Sequence, residues 1–180
     1  MRVVVIDSAN PEFFIAHADV NLILRLPREP QPPPTELPLF HAMADRFGTM
    51  PKATIAVIEG RARGGGNELA LAMAMRFAAR GKAVLAQPEV GVGIIPGGGG
   101  TQRLTHLVGR ARALEVILGC RDSDADLAER WGYVNRALAE SELRPRRRSP
   151  ACSASSNSGD RRGSSSSMRT TQTSPVKAEG

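Results

Sequence analysis

Glu68 stands in GGGNEL, residues 64–69, and Glu89, 21 positions later, stands in QPEVGVGIIPGGGGTQRL, residues 87–104, so each carboxylate neighbours a glycine cluster. A helix that begins at Gly65 or Gly66 leaves its first amides without intrahelical partners and carries partial positive charge at that end. Glycine also lets a ligand approach the backbone closely. A carbonyl oxygen lying against such amides would be stabilised as it gained negative charge, one donor contributing about 3 kcal/mol. The extended stretch FFIAHAD, Phe13 to Asp19, could supply a second donor from the amide of Ala18. Glu68 falls in the first turn of the same helix, and Glu89 follows a proline that discourages helix before it. Two carboxylates facing one pocket can divide labour: one takes a proton from water and the other delivers a proton to carbon, once surroundings separate their pKa values. The second glycine run, Gly97 to Gly100, opens another helix whose amides could orient that water.

Strands and helices must hold these groups in place. VVVI (Val3 to Ile6) and ATIAVIE (Ala53 to Glu59) read as buried strands, and AVLA (Ala83 to Ala86) as a weaker third. Helices are expected over Glu68 to Phe77, Thr101 to Leu118 and Asp124 to Trp131, the last capped by Ser123 or Asp124 and stopped by Gly132. Between the first two strands, RLPREPQPPPTELP carries six prolines in 14 residues and reads as a surface loop. Alternating strands and helices indicate an α/β fold.

The net charge of +6 suggests a nucleic-acid partner until it is located. Of 24 Lys and Arg and 18 Asp and Glu, eight and two lie in Arg144 to Gly180, leaving sixteen of each sign in residues 1–143. That terminal stretch holds ten serines and scattered apolar residues, a composition expected to stay disordered. Its RPRRR run would make only salt-sensitive, non-specific phosphate or acidic contacts, so no specific nucleic acid is expected. Residues 1–143 suit one domain, a size that buries roughly 70% of its unfolded surface. Cys120 and Cys152 fit a reducing compartment rather than a disulfide framework. Without a signal peptide or membrane span in the sequence, the expectation is a soluble cytoplasmic protein.

Other signatures fail on inspection. GVGIIP has proline where a dinucleotide fingerprint needs its third glycine, no lysine follows the glycines as a P-loop requires, and G-x-S-x-G is absent. His17, His41 and His106 lack ligand spacing, so no metal is assigned. Taken singly, GGG is an ordinary turn and Glu68 a capping-box residue; their joint spacing carries the chemical reading.

That spacing resembles the crotonase superfamily, the enoyl-CoA hydratase/isomerase family. The matching stretches are FFIAHADV, then PKATIAVIEGRARGGGNELALAMAMRFAARGKAVLAQPEVGVGIIPGGGGTQRLTHLVGRARALEVILG, then DADLAERWGYVNRAL. The resemblance implies a ββα superhelix and an acyl-CoA thioester substrate, with coenzyme A part of the substrate and no separate cofactor. It implies an oxyanion hole from the amides of Ala18 and Gly65 and an acid/base pair of Glu68 and Glu89 that adds water to a 2-enoyl-CoA, giving 3-hydroxyacyl-CoA. It places Gly97 near the water, and Ala16, Asp19 and Gly64 on the CoA side. Lyase activity in fatty acid metabolism would follow. His17 stands where the family usually has glycine, and Met73-Ala74 replaces a common Cys-Asp pair. The family's opening strand and helix and its closing helices, which build a trimer or hexamer, have no counterpart in this sequence. The chain is therefore expected to be truncated at both ends. A hydratase, a related double-bond isomerase and an inactive fragment remain alternatives.

Overall fold

The first six strands go alternately to two sheets, and the last two fall one to each. β1 (Val3–Ile6), β3 (Ala53–Ile58), β5 (Met75–Ala79) and β8 (Arg136–Leu138) form one, in the order β1-β3-β5-β8. β2 (Phe13–Ile15), β4 (Arg61–Arg63), β6 (Val84–Ala86) and β7 (Ser123–Asp124) form the other, in the order β2-β4-β6-β7. Every pairing is parallel except β6 with β7. Parallel neighbours need crossovers, supplied by the helices α1 (Leu39–Thr49), α2 (Gly65–Ala72), α3 (Gly100–Val108), α4 (Arg110–Gly119) and α5 (Ala125–Trp131); the short α6 (Glu140–Leu143) closes the described chain. Through α3 the unit strand-strand-helix repeats, adding one strand to each sheet per turn; β7 and β8 then follow with α5 between them. This is the expected α/β class in its crotonase-like ββα form. The computed structural model describes residues 2–143 apart from 18, 20, 22–23, 26, 28, 30–31 and 33. These residues fall within one compact unit, Met1–Arg146. The expected tail, 144–180, lies outside the described residues. Among them, no helix is long and apolar enough to cross a membrane.

The core explains the composition of the central strand. β3 lies between β1 and β5, and Thr54, Ala56 and Ile58 are all fully buried, so ATIAVI reads as a continuous apolar run. Its one polar side chain is satisfied at both ends. Thr54 Oγ1 donates to the carbonyl of Phe47 at the end of α1 (3.1 Å) and accepts from the amide of Ala74 (2.9 Å), fastening helix, strand and chain reversal together.

Three sequence expectations are corrected. VVVI is a strand, but it ends the order of its sheet, and Val5 is 55% exposed rather than buried. The helix expected to run to Phe77 stops at Ala72, and MRFAA becomes β5 in register with Ile55 to Ile58. Ala and Met favour helix, yet the pairing of Met75 through Ala78 with β3 wins because it completes a buried parallel sheet. The helix expected over Thr101 to Leu118 is two, broken at Gly109, whose φ of 81° lies outside the helical region. The last helix keeps its expected ends. Asp124 Oδ1 accepts from the amide of Leu127 at 2.7 Å, and Gly132 turns left-handed at the C-terminus.

Candidate active site

Gly64 ends the turn after β4 with φ 52° and ψ −128°, a setting that side-chain-bearing residues rarely adopt. Its amide donates to Ala86 of β6 at 3.1 Å, and its carbonyl accepts from the amide of Glu68 at 3.0 Å. α2 thus starts at Gly65, at the mouth of the second sheet. A side chain at Gly66 would collide with the carbonyl oxygen and β-carbon of Ile15, so glycine there lets β2 press directly on the helix start. The chain leaving β2 consequently passes this terminus. The β-carbon of His17 lies 3.8 Å, and Glu89 Oε1 3.2 Å, from where a β-carbon on Gly64 would stand. Gly64, the loop after β2 and the Glu89 carboxylate therefore meet in one place.

Glu68 lies one helical turn from that point and is almost wholly buried. Its Oε1 accepts from the amide of Gly100 at 2.8 Å, the first residue of α3. Oε2 packs on Gly98, where any β-carbon would overlap both the carboxylate and the Phe40 ring. The glycine run is held by its carbonyls: His41 Nε2 donates to Gly97 O at 2.8 Å and Arg103 Nη1 to Gly98 O at 2.9 Å. Burial pushes the Glu68 carboxyl up from its ordinary value, opposed by hydrogen bonds from the Gly100 and Gly98 amides and by the charges of His41 and Arg103.

Glu89 opens a 3-10 turn, Glu89–Val92, behind Pro88, and is also buried. Burial lifts its carboxyl from 4.5 to about 7, and the charge of Glu68 adds to the rise. The two acids therefore sense one another; Glu68 receives amides from the glycine run that opens α3, and Glu89 receives its own amide at the start of the 3-10 turn. The structure brings Gly64, Glu68 and Glu89 close to the start of α2 at Gly65. Ala16 is half-buried on the chain leaving β2, and Gly97 is exposed. Asp19 is exposed, and its Oδ1 accepts from the amide and side chain of Asn21 at 2.9 and 3.2 Å, so its carboxylate shapes a local turn. Ala18 lies outside the described residues.

Sequence reading passed over four side chains that line this region. His41 and Arg103 fix the glycine carbonyls. Asn67, inside GGGNEL, and Gln87, inside QPE, were quoted in the motifs without a role; both are fully buried, the signal being a polar residue in an otherwise apolar or glycine setting. The Gln87 amide is assigned with its nitrogen toward Glu89, since the opposite rotation sets oxygen against oxygen.

Comparison with known proteins agrees with the fold. Residues 1–168 match the sequence profile of the enoyl-CoA hydratase/isomerase family. A Clostridium acetobutylicum protein named short-chain-enoyl-CoA hydratase is 45% identical over 98 residues, 54% of this chain and 37% of that protein. YngF of Bacillus subtilis, which carries the enoyl-CoA hydratase/isomerase name, is 38% identical over 157 residues, 87% of this chain and 59% of its own length. The solved enoyl-CoA hydratase from Bacillus anthracis superposes with a TM-score of 0.69 at 34% identity, covering 79% of this chain and 54% of that one. The chain thus spans about half the length of the relatives it matches. With its two interleaved, mainly parallel sheets and glycine-opened helices, the chain belongs to the enoyl-CoA hydratase/isomerase family.

Proposed function

We propose that the chain binds a 2-enoyl-CoA thioester and adds water across its double bond. The observation that supports this most is the convergence of two buried carboxylates, Glu68 and Glu89, on the glycine-opened N-terminus of α2. The thioester oxygen sits against the amide of Gly65, with that of Ala18 as the second donor, while Ala16, Asp19 and Gly64 border the CoA moiety. Glu68, kept toward the ionised form by the Gly100 and Gly98 amides, is the general base. It takes one proton from a water set beside Gly97, and the water oxygen bonds to C3. The electron pair of the double bond moves through C2 onto the thioester oxygen, where the amides stabilise the enolate. Glu89, whose carboxyl titrates at about 7 and so retains a proton near neutrality, is the general acid. It delivers that proton to C2 and gives 3-hydroxyacyl-CoA. Coenzyme A is part of the substrate, and the reaction needs no further cofactor or metal.

A direct assay follows the loss of enone absorbance from a short 2-enoyl-CoA. Decay that disappears in a folded Glu68→Gln protein supports the reading; a folded wild-type chain that leaves the absorbance unchanged overturns it.

A further inference from the structure

Behind the two carboxylates lies a chain of fully buried polar side chains, Tyr133, Asn67 and Gln87, that the hydration steps leave unused. Tyr133 sits between α5 and β8, 66 residues from Asn67, and its phenol oxygen receives a hydrogen bond from Asn67 Nδ2. Its backbone carbonyl accepts from Arg76 Nε at 3.0 Å, and the same guanidinium donates to the carbonyls of Met73 (2.7 Å) and Ala70 (3.4 Å) at the C-terminal end of α2. Tyr133 and Arg76 together thus brace α2 at both ends. From Asn67 the connection continues forward. Asn67 Nδ2 also donates to the Gln87 side-chain oxygen at 3.1 Å, and the Gln87 nitrogen donates to both carboxylate oxygens of Glu89 at 3.0 Å.

Such a chain is expensive to bury, because each polar group must replace the water it gives up. Asn67 Oδ1 has no hydrogen-bond partner among the described residues, a cost that an apolar side chain would avoid. A phenylalanine at 133 would fill the same space without a polar atom. The phenol and the amide form one buried polar path, and what it reaches is Glu89.

We propose that Tyr133 is a positioning residue: it fixes the Asn67 amide, and through Asn67 and Gln87 it holds the Glu89 carboxyl against the start of α2, in register with Glu68. This rests on the reading of Glu89 as the general acid. Facing Glu89 are Glu68 from α2, Tyr133 from beyond α5, and the loop carrying His17 beside Gly64. Burial drives the Tyr133 phenol well above its ordinary range, so it serves throughout as a neutral hydroxyl. The Gln87 donors favour ionised Glu89, and loosening the relay removes that support.

The test is a carbon-13 NMR titration of the full chain labelled at glutamate, with the Glu89 signal assigned by its loss in Glu89→Gln. In Tyr133→Phe the Glu89 midpoint rises by roughly half a unit, and kcat for thioester hydration falls several-fold with KM unchanged. Asn67→Leu gives the same rise, and the double variant rises no further than either single one, because all three break one chain. An unmoved midpoint in folded Tyr133→Phe, or additive shifts in the double variant, overturns the proposal; should Tyr133→Phe not fold, the Asn67→Leu midpoint decides. A relay-dependent midpoint in a protein that hydrates no thioester supports the relay and refutes the hydratase reading.

Discussion

Glu68 Oε1 accepts a 2.8 Å hydrogen bond from the amide of Gly100, joining the first turn of α2 to the first residue of α3 across 32 positions of sequence. A carboxylate at one helix terminus is thereby held by the amides of another. The bond opposes the upward push that burial gives the Glu68 carboxyl, and it fixes the side chain toward the space between the two glycine runs.

Replacing that carboxylate with an amide isolates its proton chemistry from its packing. Glu68→Gln retains a carbonyl oxygen to accept from Gly100 but sets its NH2 against the Gly98 amide, so its thermal midpoint falls by the cost of about one hydrogen bond, roughly 1 kcal/mol. Its kcat falls by about 10²-fold or more, because the amide cannot take a proton from water. Steady-state kinetics beside a melting curve check both halves, and turnover within threefold of wild type contradicts the role.

The raised pKa of Glu89 sets a pH dependence in both stability and rate. Its folded value, about 7, exceeds the 4.5 of the exposed group, so the folded state binds the proton more tightly. The associated stability is complete below about 4.5 and is lost as pH rises through about 7, up to about 3 kcal/mol in all. Burial shifts Glu68 in the same direction. Urea unfolding at pH 5 and pH 8 is expected to show the fall, and Glu89→Gln flattens it. If Glu89 is the general acid, kcat/KM also declines above pH of about 7.

At Gly98 a side chain strikes Glu68 Oε2 and the Phe40 ring, so Gly98→Ala acts on the catalytic geometry directly. The expected result is a kcat/KM loss of about 10²-fold, the usual consequence of displacing a reacting group by an ångström. Gly48→Ala is the contrasting case. Gly48 lies within α1, and a β-carbon there would meet only the carbonyl of Ala72, at an ordinary 3.5 Å. That variant gains roughly 0.5–1 kcal/mol without a change in rate.

Helix α5 precedes the segment that carries Tyr133, and its start depends on Asp124, which accepts from the amide of Leu127 at 2.7 Å. Asp124→Ala costs about 1 kcal/mol in denaturant unfolding, with thioester turnover unchanged. A loss well below that would mean the cap contributes little.

The two glutamates and the helix starts at Gly65 and Gly100 were legible because glycine punctuation and a nearby acid are local signals. Strand β5 was not, since Met, Arg, Phe and Ala read as the end of a buried helix and only pairing with Ile55 to Ile58 makes them a strand. The break at Gly109 was similarly hidden, as one glycine inside an amphipathic pattern is usually tolerated. Tyr133 offers no sequence signal at all: it reaches Asn67 across 66 positions, and only the folded chain brings phenol and amide together. Half-burial of the first strand depends on its place in the sheet order, which composition does not encode.

Hydration in oxygen-18 water, followed by mass spectrometry of the acyl-CoA product, tests the pairing of Glu68 and Glu89 most directly. If Glu68 activates water while Glu89 delivers the proton, a short 2-enoyl-CoA gives 3-hydroxyacyl-CoA bearing one heavy oxygen at C3, and neither Glu68→Gln nor Glu89→Gln forms it at an appreciable rate. A folded wild-type chain that incorporates no heavy oxygen, or one whose incorporation survives either substitution, contradicts it.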